Sequence, residues 1–324
     1  MNNLRKIGLS ALAGSLATFS VNAAEVTVSG GASLSFDDTD RSADTDTGTR
    51  GNGFYMGDSL GFNMSGETDN GIGVAVYYEI DGGALDDYDM TLSGDWGSLK
   101  FNGSGSSAAF GAVDDVTPNA YEEAWDIIDD DGTSTSGSPT VINGGGGGNM
   151  FIYTSPNMGG ATITAAYQND GGAAAVDESY TDFAIAVSPE AMEGLTVGYA
   201  TSDNQVGVAT DSAETTMYVK YAFDAFTVGV QQSDLDHTTA NSDQESLAYG
   251  ITYAVNDDLS IGYSSHEMEF ESGANLQDQS STGISASYTM GGVTLGGAMN
   301  ETDNIAGDST RDNEGYEFTL SFAF

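Results

Sequence analysis

The side chains best placed to act on a solute are carboxylates gathered in one long connection. Glu122, Glu123, Asp126, Asp129 and Asp130 fall within nine residues, between Thr117-Pro118 and a glycine run at 144–148. Thr117-Pro118 reads as a helix N-cap followed by proline at the first helical position. Tyr121, Ala124, Trp125 and Ile128 then recur at i, i+3, i+4 and i+7, one face of a helix. Glu122, Asp126 and Asp129 share another face. The spacing therefore predicts a short helix with an apolar stripe for a wall and an acidic stripe for water. Such a stripe attracts cations and repels anions.

Other chemistry is thinly represented. Asp129-Asp130-Asp131, and Asp37-Asp38 with Asp40, have the hard oxygens for weak Ca²⁺ or Mg²⁺ binding, without EF-hand spacing. No other cofactor is expected. His237 and His266 stand alone and form no metal motif. There is no cysteine, so thiolate chemistry is excluded. The glycine runs lack the lysine and helix of a phosphate loop.

The charge balance is extreme, with 49 acidic and 7 basic side chains. A surface of that sign repels nucleic acid, which requires Lys and Arg to displace counterions. Arg5 and Lys6 precede an apolar stretch, Ile7 to Val21, and then Asn22-Ala23-Ala24. This is the layout of a secretory signal, expected over 1–23 and cleaved after Ala23 or Ala24. Five bases then remain. Arg41, Arg50 and Arg311 lie in long connections, and strand parity turns Lys100 and Lys220 inward, near the opposite end.

The elements that must position these groups are strands. From Glu25 onward large apolar residues alternate with small or polar ones, as in Gly315-Tyr316-Glu317-Phe318-Thr319-Leu320-Ser321-Phe322-Ala323-Phe324. Alternate residues of a strand face opposite sides. The outward set includes Val26, Val28, Leu34, Ile163, Val228, Ile284 and Leu295. The inward set includes Thr27, Ser29, Ser33, Thr164, Thr227, Ser285 and Thr294. About sixteen such segments are expected. Short turns, such as Asp69-Asn70, Asp95-Trp96 and Gly291, alternate with longer connections at 37–56, 82–86, 105–148, 170–178, 203–213, 236–243, 269–279 and 302–312. Tyrosines and Trp96 gather near strand ends, where interfacial girdles belong. This is the pattern of an all-β, transmembrane, antiparallel up-and-down β-barrel over 24–324, apolar outside and wet within. Sixteen strands leave an aqueous channel. An even count puts both termini on the periplasmic side.

The layout resembles the general porin family of Gram-negative outer membranes. The most specific local piece is Asn149-Met150-Phe151-Ile152-Tyr153-Thr154-Ser155-Pro156, followed by Gly159-Gly160 and Ala165-Ala166-Tyr167. It looks like the strand-turn-strand segment after the family's third loop. One departure is Met150, where the family commonly carries arginine. The resemblance implies a passive channel for small hydrophilic solutes and cations in the outer membrane. It implies a homotrimer in contact with lipid and lipopolysaccharide, delivered by the barrel-assembly machinery. It implies that Phe324 is the assembly signal and that 105–148 folds into the barrel as the constriction. Rival readings are a substrate-specific channel, a barrel enzyme using Ser and His, and a secreted calcium-binding protein. The enzyme would need a histidine beside a lipid-facing serine, whereas parity turns His266 inward.

Overall fold

The computed structural model describes residues 25–41, 53–126, 139–145, 147–169, 179–205, 211–271 and 276–324. Its sixteen strands are β1 (Glu25–Arg41), β2 (Gly53–Glu67), β3 (Gly73–Asp81), β4 (Ala84–Gly94), β5 (Gly97–Ser104), β6 (Met150–Thr154), β7 (Ala161–Asn169) and β8 (Ser179–Val187), followed by β9 (Leu195–Asn204), β10 (Ser212–Phe223), β11 (Phe226–His237), β12 (Gln244–Ala254), β13 (Leu259–Phe270), β14 (Gln279–Met290), β15 (Val293–Asp303) and β16 (Asn313–Ala323). Each pairs antiparallel with its neighbours in sequence, and β1 pairs with β16, so the sheet closes. Closure leaves no unpaired edge, which is what hydrocarbon demands of a spanning sheet.

Polarity is inverted relative to a water-soluble domain. Val28 and Ile284 on the outer face are 58% and 56% exposed, while Ser281 and Thr302 on the inner face are fully buried. Inner hydroxyls satisfy one another across strands. Ser35 and Thr319 lie 2.7 Å apart, Thr302 donates to Ser281 over 2.7 Å, and Ser233 donates to Thr216 over 2.8 Å. At the short-turn end Trp96 stacks on Tyr153, and Phe226 packs between Phe223 and Tyr253. The Tyr153 hydroxyl donates to the Trp96 carbonyl. Aromatic rings with one polar edge suit the membrane interface.

The barrel is sealed at Phe324. Its N–H donates to the Gly30 carbonyl over 3.0 Å, and the Gly30 N–H donates back over 2.8 Å. The Phe324 ring lies on Gly30, where an added Cβ would come within 2.8 Å of it. A glycine under an aromatic neighbour is a recognised way to complete a sheet surface.

Two expectations about connections are corrected. The stretch 82–86 is not a long loop. Gly82 and Gly83 take positive φ values of 54° and 83° and close a two-residue hairpin, so Ala84 to Asp86 join β4. Residues 37–41 are not loop either. They extend β1, where Asp37 pairs opposite Glu317 and Asp38 opposite Tyr316. Adjacent strand residues face opposite sides, so Asp37 and Asp38 cannot converge on one cation. Asp38 instead accepts from the Tyr316 hydroxyl on the outer face.

Candidate functional site

The segment between β5 and β6 is tied to the inner wall at several strands. Asp182 on β8 accepts from the Phe110 N–H over 2.7 Å and from the Tyr180 hydroxyl. Gln231 on β11 accepts from the Val116 N–H and donates to the carbonyls of Val113 and Asp114. Ser285 on β14 accepts from the Ala120 N–H, and Asn300 on β15 donates to the Glu123 carbonyl over 2.6 Å. On the return, Gln279 both accepts from and donates to the backbone of Thr140. Gln168 does the same for Gly147 and Gly148.

Over the described residues 117–125 the helix expected from residue 117 does not form; the backbone runs in turns and bends and becomes 3-10 helical at Asp126. The reason lies in where its polar groups go. The Glu123 C=O, which a helix would use internally, accepts from Asn300, while the Ala120 N–H, which a helix capped at Thr117 would leave unpaired in its first turn, goes to Ser285. One i→i+3 bond remains, from Asp126 N–H to Glu123 C=O. Ile128 and Asp129 lie outside the described residues.

Five inward glycines make this close approach possible. A Cβ on Gly250 would lie 2.2 Å from the Pro118 carbonyl oxygen, and one on Gly229 would lie 2.6 Å from the Pro118 ring. Gly262, Gly283 and Gly296 would likewise meet Ala120, Ala124 and Tyr121. They form a row across β11 to β15 on which the segment rests. Glycine inside a strand signals close backbone approach. That signal was present in the sequence but does not say which backbone approaches.

The apolar residues of the segment do face the wall. Ala124 is fully buried, Tyr121 lies over Gly296 and donates to Glu317, and the Trp125 ring sits 4.8 Å from the His266 ring. His266 is therefore inward. Glu122, Glu123 and Asp126 converge, with a carboxylate oxygen from each within 4.8 Å of the others. The Glu123 N–H donates to Asp126, and the Asn119 amide donates to the Glu123 carboxylate. Glu122 and Glu123 are half-buried and Asp126 is exposed. Burial, reinforced by the Asp126 carboxylate, raises Glu122 to about 7 and Glu123 to about 9. Asp129, Asp130 and Asp131, the other acidic candidates, lie outside the described residues.

Among the described residues neither inward base forms an ion pair with this cluster. Lys100 sits 3.4 Å from Asp89 and donates to Ser106. Lys220 pairs in register with Gly229 and Thr196, on the inner face by parity. Met150 is buried with Ala108, Ile152, Ala166 and Tyr180 at the root of the segment, so this position packs the segment rather than charging the lumen. Sequence reasoning missed Asp182, Gln231, Gln279 and Asn300. Each looks like one more polar residue of the inner face until its distant partner is known.

A family model described as "Gram-negative porin" matches residues 8–304. No curated protein sequence matches. Among solved structures, a porin refined at 1.8 Å resolution is similar at 18% identity, with a TM-score of 0.67 over 93% of this chain and 100% of that one. An anion-selective porin from Comamonas acidovorans shows 15% identity and a TM-score of 0.65 over 93% of this chain and 100% of its own. OmpT of Vibrio cholerae shows 13% identity and a TM-score of 0.66 over 94% and 99%.

Proposed function

The chain belongs to the Gram-negative porin family and is an outer-membrane channel, and from that premise we propose that it is a passive pore for small hydrophilic solutes, narrowed by 105–148 and preferring cations. It acts as a channel rather than an enzyme, and passive diffusion needs no cofactor. The observation that carries the cation preference is the convergence of Glu122, Glu123 and Asp126 on a segment bound to the inner wall. The basic side against it is weak, since Lys100 is paired with Asp89. A relative of the same fold is anion-selective, so charge placement and not the barrel decides the sign. A zero-current reversal potential across a KCl gradient at low salt tests the reading, because screening is then least. A potential of the anion-preferring sign would end it.

The raised carboxyl groups add a pH dependence. Below about 7 both Glu122 and Glu123 hold protons, and above about 9 both are charged. Cation preference should therefore strengthen as pH rises through that window. Docking of the segment should run the other way. A carboxyl whose folded value is raised binds more protons when docked, so docking weakens as pH rises from the ordinary value of 4.5 through 7 to 9. Reversal potentials at about pH 6 and about pH 10, either side of those values, check the first effect. A flat profile would show that these acids do not face the permeating ion.

Assembly is the second part of the proposal. Residues 1–23 direct export, the barrel-assembly machinery inserts the chain among outer-membrane lipid and lipopolysaccharide, and three copies associate. Phe324 is the residue most exposed to test, because its backbone completes the β1 edge and its ring covers Gly30. Deleting Phe324 should lower the amount of folded barrel in outer-membrane fractions, while channels that do insert conduct like the parent. Gly30→Val should mimic the loss by displacing the ring. Parental levels in both variants would remove Phe324 from this role.

A further inference from the structure

Gln279 opens β14 at the end of the barrel where the long connections lie, and its side chain is fully buried. Its Oε1 accepts two N–H groups. One comes from Thr140, over 2.8 Å, on the return leg of the segment inside the barrel. The other comes from Ala306, over 3.1 Å, in the surface connection between β15 and β16. Its Nε2 donates to the Thr140 carbonyl over 3.0 Å. We propose that Gln279 is a clamp that couples the surface connection 304–312 to the segment inside the barrel, so that displacing the connection alters conduction. This rests on the reading of 105–148 as the element that narrows the pore.

The outer side of the clamp is built to move as a unit. The Ile305 N–H donates to the Arg311 carbonyl, and the N–H groups of Asp308 and Arg311 donate to the carbonyls of Ile305 and Asp308. Arg311 also pairs with Asp308 at 3.2 Å. The connection leans back towards β14. The Gln277 N–H donates to the Gly307 carbonyl, the Asn304 amide donates to the Asp278 carbonyl, and Leu276 and Asp308 pair as a β-bridge. A Cβ on Gly307 would come within 2.6 Å of the Leu276 side chain. Asn304 and Ala306 both hold a φ of 55°. A non-glycine residue keeps such left-handed backbone where its surroundings fix it. Here that backbone delivers the Ala306 N–H to Gln279.

The inner side is close-packed. Thr140 is two residues from Ile142, which is buried with Phe110 and Met268 in one apolar cluster. The Phe110 N–H is in turn held by Asp182 on β8. Tightly packed side chains transmit a displacement, so a shift at Thr140 reaches both legs of the segment. Gln279 is the joint between the two sides. A buried polar side chain with its bonds made is rigid, and one that loses a partner gains freedom. Loss of the Ala306 bond should therefore loosen the hold on Thr140.

Ala306→Pro removes the outer bond alone, since proline has no N–H and cannot adopt a φ of 55°. Single-channel recording, on protein shown to be folded by its heat-dependent gel migration, should give open-channel current excursions roughly fivefold more frequent than in the parent, as one lost bond implies. Ala306→Gly keeps the N–H and the left-handed backbone and should conduct like the parent. Gln279→Met, of similar size without the polar atoms, should raise the excursions further. Adding Ala306→Pro to it should then change nothing more, because the joint is already gone. Gln279→Ser, too short to reach either partner, takes its place if Gln279→Met does not fold. Parental conduction in Ala306→Pro would overturn the coupling. So would an equal effect of Ala306→Pro with and without Gln279, since the connection would then act on the pore directly. The constriction is read separately, in Gly250→Leu with Gly262→Leu, whose side chains would strike the segment near Pro118 and Ala120. If that folded pair widens the pore while Ala306→Pro has no effect, the clamp alone fails. If the pair conducts like the parent while Ala306→Pro acts only in the presence of Gln279, the placing of the constriction at 117–126 fails and the coupling stands.

Discussion

Conductance should rise when the glycine bed is filled by Gly250→Leu together with Gly262→Leu. Both side chains would project into the lumen, so neither disturbs the lipid face or the strand hydrogen bonds. Both would strike backbone, which cannot step aside as a flexible side chain can. The Gly250 Cβ meets the Pro118 carbonyl oxygen at 2.2 Å and the Gly262 Cβ meets the Ala120 nitrogen at 2.8 Å. Overpacking costs about 1–3 kcal/mol per site. The wall bonds of this stretch, from Val116, Ala120 and Glu123 to Gln231, Ser285 and Asn300, contribute about 1 kcal/mol each. One leucine is then comparable to these three bonds, and two match or exceed them. Gly250→Leu alone should give a flickering channel, and the pair a steadily wider one that approaches deletion of 117–126. Gly66→Leu is the control, since nothing lies within 4 Å of its Cβ. Single-channel recording on protein shown to be folded by its heat-dependent gel migration decides the matter. Folded double variants that conduct like the parent would place the constriction elsewhere.

The second large effect is on selectivity. Glu122→Gln, Glu123→Gln and Asp126→Asn together preserve volume and remove the charge of the converging cluster. A unit charge at about 4 Å in water attracts a cation by about 1 kcal/mol, roughly a fivefold local enrichment. Above the pH at which Glu123 ionises, all three contribute, so loss of the cluster should bring the reversal potential most of the way to zero. Below it the change should be smaller, because part of the charge is already titrated away. Conductance at high salt, where charge is screened, should stay near that of the parent. Glu190→Gln with Glu193→Gln, in the turn between β8 and β9, removes acids outside the site and should leave selectivity unchanged. If those two substitutions matter as much as the cluster does, the overall acidity of the protein and not this site sets the preference.

The sequence by itself determined the barrel, the faces of its strands and the inward aim of Lys100, Lys220 and His266. Period-two alternation is a local property of extended backbone, so Val28 outward and Thr27 inward follow from neighbours alone. The Gly82-Gly83 hairpin is equally local, since two adjacent glycines at positive φ are a two-residue turn signal. What only the tertiary structure decided is the path of 105–126 and all that depends on it. The apolar spacing of Tyr121, Ala124 and Trp125 foretold a face against the wall, but the same spacing suggested a helix that does not form over the described residues 117–125. The backbone of this stretch is satisfied by Gln231, Ser285 and Asn300, which lie 115, 165 and 177 residues away. A helix satisfies its own carbonyls and can be seen in a local window. A segment pinned by distant side chains cannot, because its conformation is set by partners that only barrel closure brings within reach. The meeting of Trp125 with His266, the convergence of Glu123 with Glu122 and Asp126, and the glycine row beneath Pro118 all follow from that same closure.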